Sequence, residues 1–242
     1  MPGKLSGKLY GIGIGPGDPG LVTIKALKLL EAVDIICVPR ADSGEGSIAF
    51  SILHQLLPGK ECLELSFPMV RDTTRLQEYW RRAADTVADR LAQGLEVAFV
   101  TLGDPLLYST YNYLLKALWE KAPDTQVETV PGITSFTAAA ALANLSLAER
   151  DEEMAVLPAS AGEETLRRVL TDFDTVVLMK IGHRLAQVRE LLSDMGLAGD
   201  AVLVSRAGLE GQTVARDISQ VEGERLGYLS VIIVRRRKEN ER

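Results

Sequence analysis

The chain is poor in the side chains that usually announce an enzyme. Among 242 residues there are two histidines and two cysteines. His54 and His183 lie far apart and lack HExxH spacing, which argues against a protein-held catalytic zinc; both read as satisfied or solvent-facing. Cys37 and Cys62 sit in apolar segments and form no CxxC pair, so no disulfide framework, thiolate metal site or other protein-bound metal is expected. Small core residues are the reading for both. No apolar run approaches the roughly 20 residues that cross a bilayer. The opening MPGKLSGKLYGIGIG lacks the apolar stretch and cleavage site of a signal peptide, so a cytoplasmic location is expected. An excess of basic charge is missing too. A net charge of −6 argues against a nucleic-acid partner gripped by a broad basic face, and RRRKENER at the C-terminus reads as a solvated tail that resists edge pairing.

What is present is ordinary globular composition, 46% hydrophobic and 25% charged, arranged as alternating strand-like and helix-like stretches. That alternation predicts an α/β architecture with mainly parallel pairing. Strands are expected at KLYGIGIG, 34–38, 61–65 and 96–101. The clearest helix is 72–93, where Leu76, Trp80, Ala83, Val87 and Leu91 recur at three- and four-residue steps before Gly94 as a left-handed cap. APDTQ, just after Lys121, is a turn-rich segment that suggests a division into domains 1–121 and 122–242, the second repeating the alternation from VETV to YLSVIIVRR. Two such lobes on a short hinge are expected to leave a ligand cleft.

GIGIGPGDPG, residues 11–20, directly follows the first strand. It is a poor dinucleotide fingerprint: the spacing is GxGxGxG, Pro16 intrudes, and Asp34 begins a strand where a ribose-binding acid would end one. Gly11 and Gly13 leave room for another backbone or a large flat ligand. Pro16 fixes φ while Gly15 and Gly17 can take positive φ, so a rigid turn at the carboxyl end of a strand is expected, with Asp18 as a cap or a ligand contact. TLGDPLLYST (101–110) and PGITS (131–135) are two further loops that follow strands in the same way.

In that order and at those separations, GIGIGPGDP, TLGDPLLYST and VPGITS resemble the tetrapyrrole methylases, over essentially the whole chain. VPRADSGEGSIA, SFPMVRD and GDPLLYSTYNYLL look like the branch that methylates C20 of precorrin-2 or its cobalt-containing counterpart in cobalamin synthesis. The resemblance implies two α/β domains, a homodimer, and S-adenosylmethionine held in the interdomain cleft beneath the tetrapyrrole. Residue by residue it implies donor contacts from Pro16, Leu102, Gly103, Asp104, Leu107, Thr134 and Ser135, with Met179 on the adenine and the backbone near Ala207 at its edge. Some relatives carry glycine where Ala207 stands. On the substrate side it implies Gly13, Gly15, Gly17 and Asp18, with Arg40, Arg71, Arg75, Arg184 and Arg206 as candidates for the carboxylates. Asp104 and Tyr108 are the catalytic candidates. From residue type alone, Asp104 also reads as a turn residue, Met179 and Tyr108 as packing, and the arginines as solvent-exposed. Methyl transfer from a sulfonium needs alignment and exclusion of water more than a catalytic triad, which suits a chain with so few histidines. Another ring position or another acceptor remains the alternative.

Overall fold

In the computed structural model, the described residues are 5–40, 47–68, 72–221 and 229–236. The chain divides into one unit that ends at Thr134 and a second that begins at Ser135.

The first unit runs β1 (Lys8–Gly13), α1 (Ile24–Ala32), β2 (Ile35–Arg40), α2 (Ile48–Leu56), β3 (Cys62–Ser66), α3 (Thr73–Ala92), β4 (Val97–Thr101), α4 (Tyr111–Lys121) and β5 (Gln126–Val130). Its five strands form one parallel sheet in the order β3-β2-β4-β1-β5. Strand residues alternate between two cores, as the two-residue period of a sheet covered on both faces requires. Leu9, Cys37, Val97 and Phe99 pack with α3 and α4, while Tyr10, Ile12, Ile36, Val38, Ala98 and Val100 pack with α1 and α2. Thr23, Ser47 and Asp72 accept backbone N–H groups in the first turns of α1, α2 and α3, and Gly94, at φ +81°, closes α3 as its sequence suggested.

The second unit runs α5 (Ser135–Ala143), β6 (Met154–Pro158), α6 (Glu163–Asp172), β7 (Thr175–Met179), α7 (Leu185–Asp194), β8 (Ala201–Ser205), β9 (Thr213–Ala215) and β10 (Ser230–Arg235). The sheet order is β6-β7-β10-β8-β9. α6 and α7 cover one face through Leu166, Leu170, Val188 and Leu192. The alanine-rich α5 packs against β8 and β10 with Ala138, Ala139, Ala140 and Ala143 buried.

Two expectations need correction, and mainly parallel pairing holds with an antiparallel part in the second sheet. The division at 121/122 is displaced, because VETV forms β5, which pairs with β1 from Lys8↔Gln126 to Ile12↔Val130 and so belongs to the first sheet. APDTQ is only the turn between α4 and β5, closed by Thr125 N–H donating to Ala122 O at 3.2 Å. Parallel pairing holds throughout the first sheet, but in the second β10 is antiparallel to β7 and β8, and β9 to β8. A short return between β8 and β9 permits no other direction. Arg235 is not part of a solvated tail. It ends β10, is 14% exposed, and pairs with Glu149 and Glu152 at 3.0 and 3.1 Å; residues from 237 onward lie outside the described ones.

Candidate functional site

In the first sheet the connection leaving β1 passes through α1 to one face, whereas the connection leaving the adjacent β4 passes through α4 to the opposite face. The carboxyl ends of β1 and β4 therefore form a topological switch point, where diverging connections leave a crevice at which open α/β sheets bind ligands. Both glycine-aspartate-proline loops start there, and the loop after β5 starts one strand away.

The three loops are fastened backbone to backbone. Ile14 N–H donates to Thr101 O at 3.0 Å, which carries the β1–β4 ladder one residue further. Gly103 N–H then donates to Gly15 O at 2.7 Å, across an isolated antiparallel bridge. Gly103 O fills the space where side chains of Gly13 and Gly132 would stand. A Cβ on Gly13 would lie 2.5 Å from that oxygen and 2.6 Å from Gly132 N, and one on Gly132 would lie 2.1 Å from it. Asp104 completes the junction: Oδ1 accepts from Leu106 N at 2.9 Å and Oδ2 accepts from Gly132 N at 3.1 Å. The carboxylate is thus a turn residue for its own loop and a tie to the third one. Each oxygen has further acceptor capacity for an ammonium or hydroxyl.

Gly15 takes the left-handed conformation (φ +76°) and so does Gly103 (φ +72°); Gly17 does not. A Cβ on Gly103 would come no nearer than 4.0 Å to Ile133 O, so glycine is required there by φ and not by crowding within the protein. Pro16 and Gly17 are buried, whereas Asp18 is exposed and accepts from Gly20 N at 2.7 Å, a capping role. Leu102, Leu107 and Thr134 are half-buried, and Ser135 is the first residue of α5, in the second unit. Tyr108 is 40% exposed and left-handed at φ +52°.

The expected floor for a flat ligand at Gly13 is corrected by this geometry, since the space beside it holds the other two loops. Gly11 likewise faces Tyr111, whose ring carbon Cζ would stand 2.1 Å from an added Cβ. The other role read from the sequence, room for another backbone, is realised at Gly13, whereas the space beside Gly11 holds a side chain.

In the second unit β7 and β8 both run antiparallel to the strand between them, β10, so their carboxyl ends share an edge that carries Met179 and Ala207. Met179 is half-buried and its carbonyl accepts from Ala159 N at 2.8 Å; Ala207 is buried. Lys180 and Arg206, the first residues beyond the two strands, are left-handed at φ +54° and +53°.

The arginines are dispersed. Arg40 ends β2 on the same edge as the three loops, and its Nη1 donates to Glu64 at 2.8 Å. Arg206 folds back on its own loop, with Nε donating to Glu210 O at 2.6 Å. Arg184 lines a cavity of about 460 Å³ between α6 and α7, whose lining includes none of the expected cofactor residues. Arg75 lies in the first turn of α3, and Arg71 falls outside the described residues. Burial pushes the Cys37 thiol up to about 12, and raises that of Cys62 as well, so neither is a thiolate nucleophile. His54 and His183 are exposed. Among the described residues there is no group of three or more His, Cys, Asp or Glu that could hold a metal, and no helix long and apolar enough to cross a membrane.

Sequence reasoning missed the buried hydroxyls below the second loop. Thr101 Oγ1 and Ser109 Oγ are 2.9 Å apart, and Tyr111 Oη and Thr129 Oγ1 are 3.0 Å apart. The legible signal was a strand glycine, Gly11, with a large aromatic residue available to fill its space.

The family model described as Tetrapyrrole (Corrin/Porphyrin) Methylases matches residues 8–221. The chain is 39% identical over 239 residues to the probable cobalt-precorrin-2 C(20)-methyltransferase of Methanocaldococcus jannaschii, covering 97% of this chain and 99% of that protein. It is 35% identical over 237 residues to the cobalt-precorrin-2 C(20)-methyltransferase of Salmonella typhimurium, with 97% and 99% covered. Among solved structures, the uroporphyrin-III C-methyl transferase of Thermus thermophilus, complexed with S-adenyl homocysteine, has a TM-score of 0.66 and 21% identity over 94% of this chain and 97% of that one, a likeness of fold.

Proposed function

The chain belongs to the tetrapyrrole (corrin/porphyrin) methylases, and on that premise we propose that it methylates C20 of precorrin-2 or its cobalt-containing counterpart, with S-adenosylmethionine as donor, in cobalamin synthesis. Full-length similarity to two C(20)-methyltransferases is the observation that carries this reading. The structure-based support is the convergence of three loops at the β1/β4 switch point. The same fold holds S-adenyl homocysteine in the Thermus enzyme.

The residues at this edge suit such a donor. Gly103 leaves open space above a left-handed backbone, Asp104 offers acceptor capacity, Leu102 and Leu107 offer half-buried apolar surface, and Thr134 brings a hydroxyl. We assign Asp104 to the ammonium or ribose hydroxyls, Pro16, Leu102, Gly103 and Leu107 to the walls, and Thr134 and Ser135 to polar contacts. Met179 and Ala207, on the corresponding edge of the second unit, are assigned to the adenine. S-adenosylmethionine supplies a methyl on an already activated sulfonium. The protein's work is then to align the acceptor carbon and to exclude water. Tyr108 is assigned to the acceptor, where its phenol hydrogen-bonds the macrocycle and helps orient it. Gly15, Gly17, Asp18, Arg40 and Arg71 are assigned to the substrate side, the arginines to its carboxylates. A homodimer and a cytoplasmic location complete the proposal, checked by sedimentation and by cell fractionation.

Incubation with S-adenosylmethionine and either precorrin-2 or cobalt-factor II, followed by mass analysis, tests the reading. Gain of one methyl group by one of them is the expected result. Tight binding of S-adenosylhomocysteine without a gain on either would move the acceptor elsewhere within the same fold.

A further inference from the structure

α4 begins without the usual cap. Thr110, at its N-cap position, makes no side-chain capping bond. The preceding residue does that work: Ser109 Oγ accepts from Tyr111 N at 3.1 Å and pairs with Thr101 Oγ1, the last residue of β4, at 2.9 Å. Both hydroxyls are buried, Thr101 at 6% exposure and Ser109 at 7%. One residue further, Tyr111 Oη pairs with Thr129 Oγ1 of β5, while its ring fills the space beside Gly11 of β1. The start of α4 is therefore pinned to three adjacent strands, β4, β1 and β5, through Ser109 and Tyr111. Directly before Ser109 stands Tyr108, 40% exposed and with a left-handed backbone that a residue carrying Cβ disfavours. A strained conformation of this kind persists only where its surroundings over-determine it, and the Ser109 bonds, one residue on, are part of those surroundings.

We propose that Ser109 and Thr101 are positioning residues: their buried hydroxyl pair holds the left-handed turn that presents the Tyr108 phenol to the acceptor. This rests on the functional reading above. A Thr101–Ser109 bond that served folding alone would affect every readout in proportion to lost stability. A positioning bond acts through Tyr108 and vanishes when the phenol is removed.

The test uses the full chain with Ser109→Ala, the near-isosteric Thr101→Val and the hydroxyl-retaining Thr101→Ser, each alone and with Tyr108→Phe. Ser109→Ala and Thr101→Val are expected to lower kcat about tenfold or more while KM for S-adenosylmethionine changes less than about twofold. Thr101→Ser is expected to stay near wild type, and neither damaging change should lower kcat further in the Tyr108→Phe background. Hydrogen exchange supplies a readout that needs no turnover: amides 103–111 should exchange faster in Ser109→Ala, while those of β4 and the interior of α4 keep their protection. An equal loss of kcat with and without the phenol would overturn the proposal, as would unchanged exchange in the loop. If the wild-type protein methylates neither tetrapyrrole, the functional reading fails by itself, and loop exchange still decides whether the hydroxyl pair holds the turn.

Discussion

At the scale of single residues, Gly13 and Gly103 look alike in the sequence and differ in what demands glycine. At Gly13 the demand is crowding, because a methyl group would meet main-chain atoms of two other loops at 2.5 and 2.6 Å. Gly13→Ala is therefore expected to destabilise the protein by about 1–3 kcal/mol as an overpacked site, read as a fall in the midpoint of chemical denaturation. At Gly103 the demand is the left-handed backbone with open space above it, so Gly103→Ala should cost only about 1–2 kcal/mol in stability and should weaken donor binding besides. Donor affinity unchanged in a folded Gly103→Ala protein would remove this residue from the site. Asp104→Ala releases two backbone N–H groups, on Leu106 and Gly132, and should lower S-adenosylhomocysteine affinity by more than its loss of stability explains; calorimetry on the folded variant reads the difference. Glu128 gives a test by pH. Hydrogen bonds from Lys25 and Lys8 hold its carboxyl down at about 2, against an ordinary value of 4.5. A carboxyl depressed in the folded state stabilises fully above its unfolded value and loses that contribution as pH falls through the window from about 4.5 to about 2. Glu128→Gln should flatten that part of the acid limb in a stability-against-pH series, and an identical limb in the variant would contradict the ion-pair assignment.

At the scale of elements, legibility followed the strength of the periodic signal. α3 was readable because five apolar residues repeat along one face between an aspartate cap and a left-handed glycine, and β4 because a short, wholly apolar run suits a strand covered on both sides. Removing the α3 cap with Asp72→Ala should cost about 1 kcal/mol, measured by thermal denaturation, since two first-turn N–H groups lose their acceptor. β9 was not readable: Thr213–Ala215 is three residues long with two of them exposed, too short for an alternating pattern to register. The direction of β10 was hidden as well. Its apolar run is compatible with either pairing, and only the return of the chain beside β8 decides it. The loops themselves were legible as loops, because Gly-Asp-Pro after a strand has local chemistry of its own. Their mutual fastening was not, since it depends on main-chain atoms brought together across three strands, and neither was the hydroxyl pair of Thr101 and Ser109, eight residues apart.

At the scale of the whole molecule, the mistaken division after Lys121 shows how a sheet outranks a turn. APDTQ has the composition of a linker, yet the strand that follows it pairs along its own full length with β1 and so belongs to the first sheet. The placement matters for function because β5 delivers the third loop to the same edge as the other two, and Gly132 with it. The donor and acceptor assignments both depend on that edge. The most direct measurement is the position of the transferred carbon. With S-adenosylmethionine labelled by carbon-13 in its methyl group, and precorrin-2 and cobalt-factor II supplied in turn, the product's NMR spectrum should show one labelled methyl, at C20 of one of the two macrocycles. Label at another ring carbon, or none on either acceptor from a protein that still binds S-adenosylhomocysteine, would contradict the proposed activity.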